Sequence, residues 1–505
     1  MSDNLYQALR RGFPADPTAP CLETFDGQVT SYSDLDAGSA QIAGVLHALG
    51  VTPGDRVMVQ VDKSPQAVML YLACLRAGAV YVPLNTAYTA AELGYFLSDS
   101  EPQLVVCHPD ALQTIKPQAQ RGGVPHLLTL DAAGAGTLME RAIGTTPRVE
   151  IKDSDADDLA AILYTSGTTG RSKGAMLTHA NLASNALTLH QIWGFVPGDV
   201  LIHALPIFHV HGLFVALHTA LLNGSRIYFL PHFNADQVIS LLPRATVLMG
   251  VPTFYTRLLN HPGLTREACH HMRLFVSGSA PLLEDTFQAF AQRTGQRILE
   301  RYGMTEAGMI TSNPLDGERV PETVGYPLPG VEVRAASDAG QAVRPGEVGV
   351  LEIKGPNVFT GYWRAPEKTK AEFREDGYFI TGDLVRIDED GRISIVGRAK
   401  DLIISGGYNV YPKEIETCID HLEGIVESAV VGVPHPDFGE GVVGVIVSRP
   451  EAKLSEQSVK DALIDSLAKF KIPKRILLVD ELPRNAMGKV QKNVLRQRYA
   501  EIFQA

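Results

Sequence analysis

The sequence is poor in cysteine and contains no long apolar run. Its five cysteines are odd in number and share no metal-ligand spacing, which indicates free thiols in a reducing compartment rather than a disulfide framework. A membrane-spanning helix needs about 18 consecutive apolar residues, and no run in this sequence is that long. The opening residues, MSDNLYQALRRGF, lack the apolar segment of a signal peptide. The closing residues, EIFQA, carry no peroxisomal or retention signal. We therefore predict a cytoplasmic protein that does not act at a membrane.

Positive charge is also in short supply. The chain has 45 Lys and Arg residues against 56 Asp and Glu residues, which gives a formal net charge of -11. A protein that binds nucleic acid or an anionic membrane needs an excess of basic residues to neutralise phosphates, so this balance argues against both kinds of partner. The 45% share of hydrophobic residues in a chain of 505 residues is instead typical of a protein with several large cores.

Strand-like and helical patterns alternate through most of the chain. The order DRVMVQVD, SPQAVMLYLACLRAG, AVYVPL and LVVC predicts a parallel sheet with helical crossovers, and a second round runs from LIHALPI through VHGLFVALHTALLNG to RLFVSG. From about residue 331 the pattern changes to short strands and turns. The predicted fold class is therefore α/β. A large N-terminal domain, residues 1–400, contains two α/β subdomains and a β-rich one, and residues 401–505 form a small α+β domain.

A loop rich in glycine and hydroxyl side chains follows one of the predicted core strands. The strand LAAILYT leads into SGTTGRSKG at residues 166–174. Glycines allow backbone amides to surround an anion, the hydroxyls add donors and Lys173 adds a positive charge, so the pattern is typical of a phosphate-binding loop. Ser172 stands where the Walker A motif requires glycine, which excludes that class of loop. Taken alone, the segment is also compatible with an ordinary surface turn.

Six segments resemble, in this order, the signature motifs of the adenylate-forming superfamily, which contains the acyl-CoA synthetases. They are YTSGTTGRSKGAM (164–176), SGSAPL (277–282), ERYGMTE (300–306), GYFITGD (377–383), GRAKDLIISGGYNVYPKEIE (397–416) and PRNAMGK (483–489). The resemblance implies an acid–thiol ligase that uses ATP, Mg²⁺ and coenzyme A. Such an enzyme joins a carboxylate to the α-phosphate of ATP with release of pyrophosphate. It then transfers the acyl group to the thiol of coenzyme A and releases AMP.

The resemblance assigns nucleotide roles residue by residue. It implies that Glu306 and the Thr165 hydroxyl hold Mg²⁺, that Tyr302 stacks on the adenine, and that Asp383 binds the ribose together with Arg398. A solvated glutamate, a core tyrosine and a salt bridge between adjacent strands are the respective alternatives. The implied ATP-binding set is Thr165, Ser166, Gly167, Thr168, Thr169, Gly170, Lys173, Gly278, Ser279, Ala280, Glu300, Tyr302, Gly303, Met304, Thr305, Asp383, Arg398 and Lys489.

Further assignments by resemblance concern the two half-reactions. Lys489 is implied as the catalytic cation of the adenylation step, with Thr165 as a second catalytic group. Lys400 is implied as the hinge about which a mobile C-terminal domain rotates for the thioester step. The residues that would then face the channel for the pantetheine arm of coenzyme A are Ser405, Gly406 and Gly407. The glycines would permit a close approach of the backbone.

The acid substrate is predicted from residues around the implied acyl pocket. His209, in LPIFHVHG, is implied as a catalytic and substrate-binding residue, and Ser279 as a second contact; His211 has a weaker claim and is open to a purely structural role. Arg301 directly precedes Tyr302, so its side chain starts near the acyl pocket.

A guanidinium there suits a substrate with a second carboxylate, which it can bind with two parallel hydrogen bonds. An ion pair between Arg301 and Glu300 or another carboxylate is the structural alternative. LPIFHVHGL, GVPTFYTRLL, VSGSAPL and ERYGMTE also resemble the malonate-activating subfamily. We therefore predict malonate as the substrate, with methylmalonate second. A ligase for acetate or propionate, and an adenylation domain that loads a carrier protein, remain open alternatives.

Overall fold

The computed structural model describes residues 3–165, 172–406, 408–449, 451–452, 454–464, 466–485 and 488–504. None of the helices within these ranges is long and apolar enough to cross a membrane. The strands form two large mixed sheets, a small antiparallel sheet and a separate C-terminal sheet. This architecture confirms the predicted α/β fold class.

Helices and strands alternate through the first part of the chain. Its helices are α1 (Leu5–Arg10), α2 (Tyr32–Ala48), α3 (Pro65–Ala77), α4 (Ala90–Ser100), α5 (Leu112–Arg121) and α6 (Thr137–Ile143). Its strands are β1 (Pro20–Glu23), β2 (Val29–Ser31), β3 (Arg56–Gln60), β4 (Val80–Pro83), β5 (Leu104–Cys107), β6 (His126–Thr129), β7 (Leu159–Thr165) and β8 (Lys173–Thr178).

The second α/β part follows directly. Its helices are α7 (His179–Ile192), α8 (His218–Asn223), α9 (Ala235–Leu241), α10 (Pro252–Leu259) and α11 (Glu284–Thr294). Its strands are β9 (Val200–His203), β10 (Arg226–Phe229), β11 (Val247–Gly250), β12 (Leu274–Ser277), β13 (Leu299–Met304), β14 (Gly308–Ser312) and β15 (Tyr326–Pro327).

The remainder of the chain is richer in strands. Up to residue 400 the elements are β16 (Glu332–Ala336), β17 (Val348–Lys354), β18 (Gly361–Tyr362), α12 (Pro366–Glu372), β19 (Phe379–Ile387) and β20 (Ile393–Arg398). The last elements are β21 (Ile403–Ser405), β22 (Tyr408–Val410), α13 (Pro412–Asp420), β23 (Ile425–His435), β24 (Gly439–Ser448), α14 (Glu456–Leu463), β25 (Arg475–Val479) and α15 (Lys492–Arg498).

The two large sheets have parallel centres; the first is antiparallel at its β18–β8 edge only, and the second is antiparallel at both edges. One has the strand order β18-β8-β7-β4-β3-β5-β6, and the other has the order β15-β14-β13-β12-β11-β9-β10-β1-β2. In the second sheet the strands from β13 to β1 are parallel, whereas β14, β15 and β2 pair antiparallel. Parallel strands deliver the residues that follow them to one edge, where ligand crevices open in α/β sheets. The predicted motifs therefore meet at such edges.

Helix α3 illustrates how local sequence produces the fold. The Ser64 hydroxyl accepts a hydrogen bond from the amide of Ala67, Pro65 occupies the first turn, and Gly78 ends the helix in a left-handed conformation with φ 73°. Serine, proline and glycine at these positions are strong start and stop signals. The helix is buried against α2 and the first large sheet, which explains why its sequence is apolar on all sides.

The predicted helix in VHGLFVALHTALLNG is only partly α-helical. Residues His211–Leu217 form a π-helix, and α8 continues from there. Gly212 is required in the first turn, because a Cβ atom on it would lie 2.0 Å from the carbonyl oxygen of Pro206. Wider π-turns of this kind are frequent at functional sites. Hydrophobic periodicity distinguishes helix from strand but not an α-turn from a π-turn.

The C-terminal elements pack around their own apolar clusters. The strand order is β22-β21-β24-β23, and β25 pairs in parallel with β24. Buried residues such as Ile403, Val430 and Ile446 form a cluster with α13 and α14, and Leu495 of α15 belongs to a second cluster on the other face of the sheet. These clusters begin at residue 403. The domain boundary at residue 400 stays a prediction.

Candidate active site

The predicted phosphate loop connects two antiparallel strands. Thr165 ends β7, Lys173 begins β8, and the two residues are partners in the strand pairing. The Lys173 Nζ lies 3.6 Å from Glu372 Oε1 and 5.0 Å from the centroid of the Tyr362 ring. Burial lowers the pKa of Lys173, and Glu372 opposes this shift. The assigned loop residues Ser166, Gly167, Thr168, Thr169 and Gly170 lie outside the described residues.

Two carboxylates meet at one tyrosine hydroxyl beside this loop. The Tyr362 hydroxyl oxygen lies 3.0 Å from Glu306 Oε1 and 2.7 Å from Glu372 Oε2. A hydroxyl has a single proton to donate, so it cannot satisfy both carboxylates. Burial raises the pKa of Glu306, and the negative charge of Glu372 adds to the shift. Glu372 is also paired with Lys173 and Lys368, whereas no described Lys or Arg forms an ion pair with Glu306, so Glu306 is the carboxylate that a cation would compensate.

The donor set at this position fits Mg²⁺. Glu306 and the Thr165 hydroxyl offer oxygen atoms, which are the ligands that Mg²⁺ prefers. Among the described residues no group of three or more His, Cys, Asp and Glu side chains is placed to hold a metal ion. Mg²⁺ usually takes one or two protein carboxylates and completes its shell with phosphates and water. The metal role of Glu306 and Thr165 is compatible with this geometry and stays a prediction.

A tyrosine, an aspartate and an arginine converge from three strands at the predicted ribose site. The Tyr302 hydroxyl of β13 donates a hydrogen bond to Asp383 Oδ2 of β19. The Arg398 Nε of β20 lies 2.5 Å from Asp383 Oδ1, and the two residues are register partners. Burial, followed by the charge of Asp383, raises the pKa of Tyr302 well above its ordinary value. The inter-strand salt bridge that was the structural alternative is therefore present, and ribose binding stays a prediction.

The loop after β12 forms the wall between the nucleotide side and the acyl side. A Cβ atom on Gly278 would lie 2.4 Å from a terminal guanidinium nitrogen of Arg301, so this position has no room for a side chain. Ser279 adopts φ 71°, a left-handed conformation that is rare for residues other than glycine and concentrates at functional sites. Ala280 follows, half-buried. The loop thus places the backbone of Gly278 directly beside Arg301.

Arg301 is buried without a carboxylate partner. Its side chain is 2% exposed, and neither its Nε nor its NH2 makes a hydrogen bond within the described part of the chain. No ion pair joins Arg301 to any described carboxylate, which contradicts the alternative of a structural pair with Glu300. Burial lowers the pKa of Arg301 to about 9, so the guanidinium remains charged at neutral pH. A buried charge without a partner is costly and calls for an explanation in a ligand.

Two histidines border the same pocket. The backbone amide of His211 donates to His209 Nδ1 at 3.2 Å, and His211 Nδ1 lies 3.3 Å from the Ser279 hydroxyl. Burial and then the charge of Arg301 lower the pKa of His209 to about 4 and that of His211 well below its ordinary value, so both rings are neutral. The Ser279 hydroxyl can donate to Nδ1 or accept from it; when it donates, His211 carries its proton on Nε2, which is buried and without a partner among the described residues. His211 therefore belongs to the pocket, although its sequence claim was weak.

Among the neighbours of Arg301 in the ERYGMTE motif, Glu300 holds a loop in place, and the others are predicted to contact ATP. The Leu282 amide donates to Glu300 Oε1 at 3.2 Å, and burial raises the pKa of Glu300 to about 8. Glu300 thereby anchors the loop that carries Ser279. The remaining motif residues assigned to ATP, Gly303, Met304 and Thr305, lie at the end of β13 and just beyond it. Their contacts with ATP, and that of Glu300, stay predictions.

Lys489 reaches the site from the C-terminal domain. A Cβ atom on the preceding Gly488 would lie 3.3 Å from the Thr253 hydroxyl of α10, so this turn touches the N-terminal domain. Partial desolvation in the cleft, followed by the charge of Arg398, lowers the pKa of Lys489, whereas Asp383 opposes the shift. The charge of Lys489 in turn contributes to the lowered pKa of His209. Lys489 itself is exposed, its turn lies against α10 of the N-terminal domain, and its contact with ATP or the acid stays a prediction.

The residues assigned to the hinge and to coenzyme A lie elsewhere. Lys400 is exposed in a single helical turn, residues 399–401, between β20 and β21. Ser405 is buried and pairs with Tyr408 and Gly439 inside the C-terminal sheet. Gly406 adopts φ 60°, a conformation that favours glycine, and Gly407 lies outside the described residues. The hinge and channel roles stay predictions.

Sequence reasoning missed Tyr362 and Glu372. Both lie between the predicted motifs, and their contact with Glu306 exists only because β18 pairs with β8 beside the phosphate loop. Nothing in the local sequence TGYWRAPEKTKAEF signals this role. The position of Tyr362 on an edge strand becomes informative only when the partner strand is known.

The fold and this site define an ATP-dependent adenylating enzyme. The AMP-binding enzyme family matches residues 9–363, and the AMP-binding enzyme C-terminal domain matches residues 414–489. The chain therefore belongs to the AMP-binding enzyme family.

Curated and solved relatives agree with this membership. The chain is 40% identical over 482 residues to the mitochondrial malonate–CoA ligase ACSF3 of Mus musculus, with 88% of this chain and 82% of that protein covered. Its structure is similar to ATP-bound MatB from Rhodopseudomonas palustris, with a TM-score of 0.97, 56% identity and complete coverage of both chains. The apo form of the same MatB gives a TM-score of 0.86 at the same identity and coverage.

Proposed function

We propose that this protein is a malonate–CoA ligase that uses ATP and Mg²⁺ and forms a malonyl-adenylate intermediate. In the first half-reaction a malonate carboxylate attacks the α-phosphorus of ATP and pyrophosphate leaves. In the second, the thiol of coenzyme A displaces AMP from the acyl carbon and releases a proton. Methylmalonate is the second candidate acid. Relatives described as malonate–CoA ligases, and the fold shared with MatB, support the assignment.

One observation carries the choice of acid. The acyl pocket contains two unpaired buried donors, Nε and NH2 of Arg301, beside the unpaired Nε2 of His211, and no described carboxylate pairs with Arg301. A dicarboxylate supplies a second anion that such donors can bind. Acetate or propionate would leave the charge of Arg301 buried without a partner. Such an unpaired buried charge typically costs about 3–5 kcal/mol. The pocket is therefore better matched to malonate than to a neutral acyl chain.

The first half-reaction requires two anionic reactants to be held together. Arg301, His211 and Ser279 would bind the distal carboxylate and so direct the other carboxylate toward ATP. Lys489 would stabilise the charge that develops between the attacking carboxylate and the α-phosphate. His209, neutral because its pKa is about 4, would border the reacting carboxylate without adding a competing charge.

The nucleotide would be held on the other side of the Gly278–Ala280 loop. Tyr302 would stack on the adenine, Asp383 would accept hydrogen bonds from the ribose hydroxyls, and Arg398 would orient Asp383 through their ion pair. Mg²⁺, held by Glu306 and Thr165, would neutralise phosphate charge and favour departure of pyrophosphate. The loop at residues 166–173 would bind the outer phosphates.

The second half-reaction is proposed to require another orientation of the C-terminal domain. Residues 401–505 would rotate about Lys400, withdraw Lys489 and bring Ser405, Gly406 and Gly407 to the thiol channel. The higher TM-score against ATP-bound than against apo MatB, at equal identity, supports the reading that the present orientation is the one for adenylation.

Location and partners are proposed more coarsely. Small-molecule substrates account for the site, and the net charge of -11 argues against nucleic acid as a partner. Curated relatives include mitochondrial enzymes, so the cytoplasmic location stays a prediction. The loading of a carrier protein finds no support in the relatives described as ligases of coenzyme A.

A panel of acids tests the proposal. Malonate, methylmalonate, acetate and propionate are each supplied with ATP, Mg²⁺ and coenzyme A, and AMP, pyrophosphate and thioester are quantified. We expect equal amounts of AMP and thioester, with malonate the most efficient acid by kcat/KM. Formation of ADP would contradict the adenylating chemistry, and a higher efficiency with propionate would contradict the choice of malonate.

A further inference from the structure

A partly buried lysine contacts a histidine behind the acyl pocket. Lys63, two residues before α3, places its Nζ 2.8 Å from His203 Nδ1 and 2.8 Å from the carbonyl oxygen of His203. The ammonium also lies 4.3 Å from the centroid of the Phe229 ring. No described carboxylate pairs with Lys63, and burial lowers its pKa well below the ordinary value. A lysine in such surroundings is unusual, and neither half-reaction uses it.

The contacts of His203 fix the direction of its hydrogen bonds. His203 is fully buried, and its Nε2 lies 2.8 Å from the carbonyl oxygen of Gly212. A carbonyl can only accept, so Nε2 carries the ring proton and Nδ1 is left to accept from Lys63. Burial and then the charge of Lys63 lower the pKa of His203, which keeps the ring neutral. The two hydrogen bonds therefore run in one direction: Lys63 donates to His203, and His203 donates to the carbonyl oxygen of Gly212.

This chain ends on the π-helix that carries His211. Gly212 is the second residue of that helix and is already confined by the Pro206 carbonyl, 2.0 Å from where its Cβ would lie. The neighbouring His211 holds the contact with Ser279 and presents the unpaired Nε2. Anchoring the carbonyl of Gly212 therefore anchors the residue that projects into the acyl pocket.

The contact also joins the two α/β subdomains. Lys63 follows β3 of the seven-stranded sheet, whereas His203 ends β9 of the nine-stranded sheet. Lys63 thus connects the acyl pocket, which is built on the nine-stranded sheet, to the carboxyl edge of the seven-stranded sheet. A charged side chain is a costly way to join two cores, since an apolar pair of similar volume would pack without desolvation. Its retention is explained if the direction of the hydrogen bonds matters.

We propose that Lys63 and His203 are positioning residues of the acyl pocket. Through the Gly212 carbonyl they hold His211 at the distance from Ser279 that leaves its Nε2–H free for the distal carboxylate of the acid. The proposal rests on the proposed malonate–CoA ligase function and extends it to residues that do not touch the substrate. Propionate has a methyl group where malonate has this carboxylate, so its binding depends little on where His211 lies.

Three variants of the full-length enzyme separate positioning from simple packing. Lys63→Met and His203→Phe each break the chain from one end, and the double variant replaces both partners by apolar side chains. Loss of one partner leaves the other buried without a hydrogen bond, whereas replacement of both by apolar side chains can leave stability nearly unchanged. We expect each single variant to lower the ratio of kcat/KM for malonate to that for propionate by about tenfold or more, mainly through KM for malonate. We expect KM for ATP to change by less than about twofold, because the nucleotide contacts lie elsewhere.

The double variant is decisive. We expect its melting temperature to recover toward that of the wild type while the malonate-to-propionate ratio stays as low as in the worse single variant. Lys63→Arg, which keeps a charged donor, should retain more of the ratio than Lys63→Met. If the ratio recovers together with stability, or if malonate and propionate efficiencies fall in parallel in every variant, the two residues only pack and the proposal is overturned.

Tyr71→Phe is the matched control. Its hydroxyl, on buried α3 of the same subdomain, lies 2.8 Å from His218 Nε2, at the other end of the π-helix. This variant removes a buried tyrosine–histidine bond without touching the turn that carries His211, so stability should fall and the ratio should hold. An equal change of ratio in Tyr71→Phe would contradict the specific role of Lys63. Wild-type enzyme that prefers propionate would refute the proposed function itself, which distinguishes that failure from an unchanged ratio in a malonate-preferring enzyme.

Discussion

The nucleotide side and the acyl side of the cleft differ in whether their charged side chains are paired. On the nucleotide side, Asp383 is already paired with Arg398 and Tyr302, and Glu372 contacts Lys173 and Tyr362. On the acyl side the buried Nε and NH2 donors of Arg301 and the Nε2 atom of His211 have no partner among the described residues. The loop from Gly278 to Ala280 is predicted to lie between the two sides.

This difference in pairing indicates which charge each region needs from its ligand. A site whose charges are mostly paired, with Glu306 left for a cation, can bind a molecule of mixed character such as a nucleotide with its Mg²⁺. A pocket with donors and no acceptor is completed only by an anion, since buried polar groups without partners are costly. Changes on the nucleotide side should therefore scale the rates with all acids together, whereas changes on the acyl side should alter the choice between acids.

The largest expected effect comes from Lys489, the predicted catalytic cation. Lys489→Ala should lower the rate of adenylation by roughly 1,000-fold, because a charge aimed at the transition state is lost. Thioester formation from supplied malonyl-adenylate should stay near the wild-type rate, since that step is proposed to use another domain orientation. Pyrophosphate release and thioester formation are measured separately.

Lys492→Ala is the control for that experiment. Lys492 lies in the same domain, where its Nζ is 2.5 Å from Glu416 Oε1, and its loss should leave both half-reactions nearly unchanged. Equal loss of the two half-reactions in folded Lys489→Ala would refute the division of labour.

A smaller effect is expected from Glu306, which tests the nucleotide side alone. Glu306→Gln removes a buried negative charge next to Glu372 and should lower kcat/KM by about 10- to 100-fold, with a higher Mg²⁺ concentration needed for half-maximal rate. Malonate and propionate should be affected by the same factor, within about twofold. The assay is a Mg²⁺ titration with each acid. A change in the preference between acids would break the distinction between the two sides.

The smallest expected effect concerns stability rather than catalysis. The pKa of Glu300 is about 8 in the folded chain against an ordinary value of 4.5, so the folded chain retains a proton that the unfolded chain loses. Stability from this group is therefore present below pH 4.5 and decreases as pH rises toward 8. Glu300→Gln, which mimics the protonated form, should melt at least about 2 °C higher than wild type at pH 8. Near pH 4.5 the two should melt alike, and a parallel pH dependence of both proteins would contradict the prediction.

Much of this fold follows from local sequence signals. LAAILYT is the strand β7 at residues 159–165, and the Ser64–Pro65 start and Gly78 stop bound α3 as caps predict. The alternation of strand and helix also predicted two α/β sheets with parallel strands at their centres, but not their antiparallel edge strands. These signals work because strand burial and helix capping are determined within a few residues.

The composition of the site depends on contacts that no local pattern encodes. Tyr362 and Glu372 reach Glu306 only through the pairing of β18 with β8, and Lys63 reaches His203 across 140 residues. The π-turn at His211 has the hydrophobic pattern of an ordinary helix, so its projection toward Ser279 could not be predicted. Arg301 was predicted in the pocket because it directly precedes Tyr302 in the ERYGMTE motif, but its lack of a partner became visible only in the structure.

The central claim is that Arg301 is unpaired because the substrate brings its partner. Its most direct test is the ratio of kcat/KM for malonate to kcat/KM for propionate, measured in wild type and in Arg301→Ala with thermal melting as a control. Removing one member of a buried charge pair costs about 3–5 kcal/mol, so malonate efficiency should fall by roughly 100- to 3,000-fold. Propionate efficiency should fall far less or rise, and the ratio should collapse. An unchanged ratio in a folded variant would contradict the claim.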